Sequence, residues 1–436
     1  MLFKLKDGGN LNPVMLKYLI MKKFLHFLFA LALMFFYAKS VNAEEIVALN
    51  LDSNELFEQV QITTPDIINE EIESEIEQEI KQENPVQAVE VSENMTLKEK
   101  LKTVYNLQID RYDHPEYLYR EPLTYHFKPE SKMDKLHVWG AFNAYNDAAI
   151  YDDGGFTDKV HFNALNIGVD GFLKDNNGDF RIMMGFPVHS QRNYTQTLFA
   201  DVFVATNKIP HHRIQIGHFR PQIGMEGGSS SYTLGFLGRS QIARNFGTAR
   251  RLGGRIKGDY SFIDYDFGFY SSDTFFQEWF AGPEFVGWIN IKPLAKVDEK
   301  KYGRLKIGGG IDVGRREDNF FVTGAYIGYD YKRFSAEFEW ANANGYNGYY
   351  GHSRKHATGF YTTLSYMITK KLQALICYDE FTPNKEFSDN KKREITFGLN
   401  YFIKGQALRL ILNYVFCQND CTKDSHRIML GAQILI

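Results

Sequence analysis

From residue 134 onward, the chain repeats one short pattern. Sixteen segments of about 9 to 13 residues alternate apolar side chains with polar or small ones. Clear examples are RLKIGG at residues 304–309 and LRLILNY at residues 408–414. An alternation with a period of two places successive side chains on opposite faces of a β-strand. The pattern therefore predicts an all-β fold in which each strand has one apolar and one polar face.

The connections between these segments alternate in length. Those after even-numbered segments are mostly tight, such as KDNNGD at 174–179 and TKK at 369–371. Most of those after odd-numbered segments are longer, and we place them at residues 146–158, 219–249, 344–355 and 382–390. Antiparallel neighbours with short turns at one end and long loops at the other are typical of outer-membrane barrels. We therefore predict a 16-stranded antiparallel transmembrane β-barrel over residues 131–436, with a soluble β-sandwich or propeller as the alternative.

The N-terminal region supports export. Residues 21–43 begin with Lys22 and Lys23, continue with an apolar run, and end with the small residues Val41 and Ala43 at cleavage-site spacing. This pattern predicts a signal peptide, with residues 1–20 as an upstream extension. An N-terminal anchor helix is the alternative, although the apolar run is short for a membrane span. We expect the mature protein in the outer membrane of a Gram-negative-type bacterium.

Residues 44–130 form an acidic leader of different composition. They contain 21 acidic and 7 basic residues. Ile68, Ile72, Ile76 and Ile80 recur every four residues, which favours a thin apolar stripe on a helix. We interpret this segment as a periplasmic tether, partly helical and otherwise disordered. It could instead bind a periplasmic or cell-wall partner, in which case the barrel would serve as an envelope anchor.

The polar faces of the predicted strands are rich in positive charge. Arg or Lys residues alternate with apolar residues in several strands, and lipid disfavours charge, so we assign the charged face to the lumen. Rings of Arg and Lys select anions, and guanidinium groups match phosphate geometry. The candidate pore and anion-binding residues are Arg213, Arg239, Arg244, Arg250, Arg251, Arg255 and Lys257. A polar interior held by Arg–Asp pairs remains an equally acceptable interpretation of the strands alone.

The connection after the fifth strand carries the most specific motif. GHFRPQIGMEGG, at residues 217–228, resembles a strand-end motif of the phosphate-selective porin O and P family. The matching positions are Phe219, Arg220, Pro221, Gly224 and Glu226. The following FLGRSQIARNFGTARRLGGRIKG, at residues 236–258, resembles that family's next block, and ITFGLNYFIKGQALRLILNY, at 395–414, its late hairpin.

This resemblance implies a homotrimeric outer-membrane porin that passes small anions such as phosphate by passive diffusion. It also implies that the third external loop folds inward and constricts the channel. We expect residues 229–237 to cross the lumen and Arg239, Arg244, Arg250 and Arg251 to line its narrowest section. The glycines Gly224, Gly227 and Gly228 allow the sharp turn at the strand end.

Other functions have less support in the sequence. The motif sets of hydrolases, kinases and metalloproteases are missing, so we predict no enzyme, cofactor or metal site. A basic–aromatic platform for nucleic acid is also missing. A general or carbohydrate-conducting porin is the main alternative, with Tyr346, Tyr349 and Tyr350 as candidates for stacking on sugars. Cys417 and Cys421 lie four residues apart, and whether they form a disulfide stays open.

Overall fold

A computed structural model of the chain describes residues 123–186, 198–274, 278–420 and 423–436. Three features discussed above lie outside these residues: the predicted signal peptide, the helical stripe at residues 68–80 and Cys421.

One short strand, β1 (Thr124–His126), precedes sixteen longer ones. The longer strands are β2 (Met133–Tyr151), β3 (Phe156–Leu173), β4 (Gly178–Gly185), β5 (Phe199–Thr206), β6 (His212–Phe219), β7 (Arg251–Asp259), β8 (Ile263–Ser271), β9 (Pro283–Ile291), β10 (Arg304–Arg315), β11 (Asn319–Tyr331), β12 (Phe334–Gly348), β13 (Gly351–Met367), β14 (Leu372–Thr382), β15 (Lys392–Lys404), β16 (Leu408–Asn419) and β17 (Ser425–Leu435).

The sixteen strands β2–β17 form a closed antiparallel barrel. Each strand pairs with the next one in the chain, and β17 pairs with β2 from Ser425 opposite Tyr151 to Leu435 opposite Ala141. Closure leaves no unpaired sheet edge, which lipid would not tolerate. The prediction of a 16-stranded antiparallel β-barrel is confirmed.

The short strand β1 continues the wall where β17 ends. Thr124 to His126 pair with His137 to Lys135 of β2, below the part of β2 that β17 covers. β1 falls within the segment that we interpret from the sequence as a tether. The first paired residue of the described chain is therefore Thr124.

Side chains alternate across the wall as the sequence indicates. In β16, Leu412 and Tyr414 are exposed on the outer face, whereas Arg409, Ile411 and Asn413 are almost wholly buried inside. Outward apolar groups and inward polar groups suit a wall between lipid and a polar interior. Among the described residues, no helix is long and apolar enough to cross a membrane.

Two of the predicted external loops are much shorter than expected. The expected loops at 146–158 and 344–355 shrink to residues 152–155 and 349–350, because the flanking strands continue to pair. In the second hairpin a bulge next to Gly345, whose φ is +67°, lets pairing resume from Tyr346 opposite Ser353. The prediction was wrong here because it assigned the turn-forming residues of these segments to loops. Two long paired strands can include such residues without losing their pairing.

Candidate functional site: the loop inside the barrel

The connection between β6 and β7, residues 220–250, lies against the inner face of the barrel and is called the inner loop here. It contains two short helices, α1 (Met225–Gly228) and α2 (Gln241–Phe246). The Leu237 amide donates to Asn413 Oδ1 of β16 at 2.8 Å, and Asn400 Nδ2 of β15 donates to the Gly235 carbonyl at 2.9 Å. The inner loop thus reaches strands far from β6 and β7.

Tyr232 connects the middle of the inner loop to both sides of the β2–β17 seam. Asn166 Nδ2 of β3 donates to the Tyr232 hydroxyl at 2.5 Å. Gln433 Nε2 of β17 donates to the Tyr232 carbonyl at 2.9 Å, and Arg409 of β16 donates to it at 3.4 Å. Residues 229–237, which we expect to cross the lumen, therefore contact strands opposite β7.

Carboxylates of the barrel wall accept hydrogen bonds from the first backbone amides of both short helices. Glu339 of β12 accepts hydrogen bonds from the amides of Met225, at 2.8 Å, and Glu226, at 3.2 Å. Asp379 of β14 accepts one from the Gln241 amide at 2.7 Å. Helix N-termini leave amide groups without internal partners and favour negative charge, so these wall carboxylates stabilise the loop in the lumen.

Gly224 is required at the start of α1. Its φ is +74°, and an added Cβ atom would collide with Glu339 Oε1. Glycine adopts this backbone region without steric cost, and here it also lets the backbone approach the carboxylate.

Apolar packing holds the second helix against the wall. Ile242 and Phe246 belong to a buried cluster that includes Val322, Tyr361 and Phe381 of the wall. The rings of Phe246 and Phe381 lie 5.7 Å apart in an edge-to-face arrangement. Burying large side chains in this way stabilises the loop's position by several kcal/mol, at about 1.5–3 kcal/mol for each side chain.

The motif residues that carry the family resemblance have mainly structural contacts. Phe219 is buried, and Pro221 also lies inside. Glu226 Oε2 accepts a hydrogen bond from the Ser240 amide at 2.7 Å, which joins the two helices. Arg220 donates from Nε to the Thr248 carbonyl at 3.1 Å and from Nη1 to the Ser229 carbonyl, so it ties the loop's beginning to its end.

Three of the predicted pore arginines on the strands are paired with carboxylates. Arg251 is fully buried and lies 2.9 Å from Glu284. Arg255 contacts Asp266 at 3.0 Å and lies over the Phe219 ring. Arg213 donates to both oxygens of Asp179. Lys257, also on β7, is partly buried and stands opposite Asp266 in the strand register.

The predicted arginines of the inner loop differ in their partners. Arg244 contacts Glu394 at 2.8 Å, and Arg250 contacts Asp201 at 2.7 Å. Arg239 donates to the carbonyl groups of Glu226 and Ser229 and to the Ser229 hydroxyl. Burial opposes the charge of Arg244, but Glu394 and Asp379 outweigh it and raise the pKa of this guanidinium. Arg244 therefore stays charged at every physiological pH.

Four arginines lie near one another where the inner loop leaves and re-enters the wall, and we call them the arginine cluster. Its members are Arg181, Arg220, Arg239 and Arg250. Two carboxylates accompany them, Asp170 bound to Arg181 at 2.7 Å and Asp201 bound to Arg250 at 2.7 Å. Burial lowers the pKa of Arg220, and the nearby charges of Arg239 and Arg250 lower it further. Four guanidinium groups with two carboxylates leave this part of the lumen net positive.

The list of candidate pore residues omitted some members of these networks. Arg181 lies on the inner face that alternation predicts, and Arg427 of β17 pairs with Asp147 at 2.5 Å. Only the alternation signal could have indicated them. Their carboxylate partners stand on other strands, so no sequence spacing points to the pairs.

The closed barrel with a long loop against its inner wall has the architecture of outer-membrane porins. An anion-selective porin from Comamonas acidovorans has a TM-score of 0.51 and 11% identity, covering 69% of this chain and 99% of that chain. A loop-deletion mutant of the outer-membrane protein OmpT from Vibrio cholerae has a TM-score of 0.50 and 10% identity, covering 70% and 100%. At such identities these likenesses show the fold alone.

Part of the chain also matches a family model by sequence. Residues 297–433 match the family model described as phosphate-selective porin O and P. This match confirms the family resemblance noted in the sequence, and it lies in β10–β17 rather than in the inner loop where the motif was first seen. No curated protein matches the chain.

Proposed function

We propose that small anions of the phosphate type diffuse through this porin and that arginines of the inner loop select them. The observation that carries the proposal is the net positive arginine cluster. It brings together Arg239 and Arg250, which the sequence nominates, with Arg181 and Arg220. Positive groups in a narrow section attract anions and repel cations.

Within the arginine cluster, Arg250 is the residue best placed to contact a solute. Its Nε donates to Asp201, while neither of its Nη groups has an acceptor among the described residues. Its side chain is 25% exposed. A guanidinium held on one edge and open on the other can present two donors to phosphate oxygens. The nearby aspartate limits the binding strength, which suits a channel because a solute must also leave.

The remaining candidate pore residues would either add positive charge along the lumen or hold the inner loop in place. Arg213, Arg244, Arg255 and Lys257 would contribute positive charge along the lumen, each moderated by neighbouring acids. Arg251 is fully buried and donates to the Asn347 carbonyl, so it would hold the β7 end of the loop and not touch the solute.

The test is the reversal potential in a planar bilayer under a KCl gradient, repeated with phosphate. We expect a chloride-favouring potential and a current that phosphate blocks. In the double variant R220Q/R250Q, the potential should move toward cation preference and the phosphate block should weaken. The control is R354Q, because Arg354 is 72% exposed and its partner is Asp318, outside the arginine cluster. A cation-favouring wild-type protein, or a double variant that behaves like wild type, would refute the proposal.

A carbohydrate-conducting porin is the second candidate. Tyr349 and Tyr350 are exposed in the turn after β12, with their rings 5.3 Å apart and nearly perpendicular. Exposed aromatic rings can stack on sugars. Liposome swelling separates the two functions, because oligosaccharide uptake that falls in Y349A/Y350A would favour the carbohydrate porin.

A further inference from the structure

The end of the barrel that carries the tight turns is strongly basic over half of its circumference. The four connections after β9, β11, β13 and β15 contain eight Lys or Arg residues and two Asp or Glu residues. Seven lysines in this region are exposed, and we call them the basic rim. They are Lys296, Lys300, Lys301, Lys332, Lys370, Lys371 and Lys404.

The opposite end of the same strands has the reverse balance. The connections after β10, β12, β14 and β16 contain four Lys or Arg residues and six Asp or Glu residues. Two of these acids pair with arginines of the adjoining strands, Asp318 with Arg354 and Asp420 with Arg393. Positive charge in this half of the barrel is therefore concentrated at the end with the turns.

Outward-facing tyrosines show at which depth the basic rim lies. Tyr329 and Tyr331 stack on the outer face of β11, and the Tyr329 hydroxyl donates to the Tyr302 carbonyl at 2.8 Å. Lys332 Nζ lies 4.7 Å from the centroid of the Tyr331 ring, and Lys301 Nζ lies 5.1 Å from that of Tyr302. Tyrosine girdles of membrane barrels sit at headgroup level. These ammonium groups therefore lie on the lipid side of the wall, at the depth of lipid phosphates.

We propose that the basic rim binds the phosphates of anionic phospholipids in the leaflet on the side of the turns. An ammonium group is a compact charge with three donors, and several of them spaced along the wall suit a row of phosphodiester groups. Zwitterionic lipids bring their own cation, so a basic surface prefers anionic lipids. This inference is independent of which solute the channel passes.

The experiment uses the full chain reconstituted in vesicles of phosphatidylcholine with a minor fraction of phosphatidylglycerol. The lipids that stay with the protein after gentle detergent extraction are then counted by mass spectrometry. We expect wild-type protein to retain phosphatidylglycerol preferentially. In K300E/K370E/K371E this preference should fall by about tenfold, since each surface lysine contributes a sizeable attraction to anionic lipid.

The matched control reverses three exposed lysines toward the external end, in K159E/K355E/K392E. It should keep the wild-type preference for phosphatidylglycerol, because the substituted lysines lie at the other end of the barrel. Heat-modifiable migration on gels checks that each variant folds. If the rim variant does not fold, the wild-type protein still tests the idea, since its preference should decline as salt rises. No preference in wild type, a salt-independent preference, or an equal loss in the control variant would overturn the proposal.

Discussion

The inner loop meets the barrel wall in two different ways. On the side of β11–β14, which we call the anchor side, Ile242 and Phe246 pack into a buried apolar cluster. On the side of β3–β7, the polar side, Arg220 and Arg250 meet carbonyl groups and Asp201 and remain partly exposed. Apolar packing excludes water and holds the loop in place, whereas a polar, partly hydrated contact leaves room for ions. The difference suggests that the anchor side positions the loop and the polar side meets the solute.

The largest expected effect comes from breaking the anchor side with F246A. Truncating a buried Phe costs about 3–5 kcal/mol, so the loop should loosen or leave the wall. Single-channel recordings should then show higher conductance and greater open-channel noise. The control is Y350A, because the Tyr350 side chain is 75% exposed. Quiet, wild-type currents in F246A would show that this packing does not position the loop.

A smaller disruption of the anchor side is expected from G224A. The positive φ and the collision with Glu339 together cost about 1–3 kcal/mol, because the substitution strains the start of α1. Unfolding in urea with lipid vesicles should show the loss, and channel noise should rise. G238A is a matched control, since a Cβ atom at Gly238 meets nothing within 4 Å. Equal behaviour of the two variants would argue against a constrained turn at Gly224.

On the polar side of the loop, we expect D201N to change the ion selectivity. Removing the carboxylate leaves Arg250 less neutralised, so anion preference should increase instead of decrease. The reversal potential under a KCl gradient measures this change, and conductance should change little because the anchor side is intact. D318N at the external rim serves as the control. A shift toward cations in D201N would contradict the assignment of selectivity to the arginine cluster.

The smallest effect is expected from Y232F. This substitution removes the hydroxyl that accepts from Asn166 Nδ2 but keeps the buried ring and the carbonyl contacts to β16 and β17. Losing one such hydrogen bond costs about 1 kcal/mol. Urea unfolding should detect it, while the reversal potential should stay near wild type. A large change in selectivity would mean that Tyr232 contacts the solute directly.

Strand existence, strand order and the inner face were predictable because they depend on local alternation. Arg409 and Asn413 alternate with Leu410 and Leu412 in the printed sequence, and the barrel buries the first pair as expected. Loop lengths were less predictable, since Asn347 and Gly348 resemble a loop in sequence but pair with His352 and Gly351 in the barrel. The unusual composition of residues 218–258 marked the inner loop correctly as the distinctive connection.

Alternation along the chain specifies the strands of the barrel and the face on which their arginines lie, because a period of two sorts side chains between lipid and lumen. Which arginines are neutralised depends on contacts that form only when the barrel closes. The partner of Arg244 is Glu394, 150 positions away, and that of Arg251 is Glu284, 33 positions away. Closure of the barrel brings such groups together, and the electrostatic energy of a guanidinium depends on its neighbours in space.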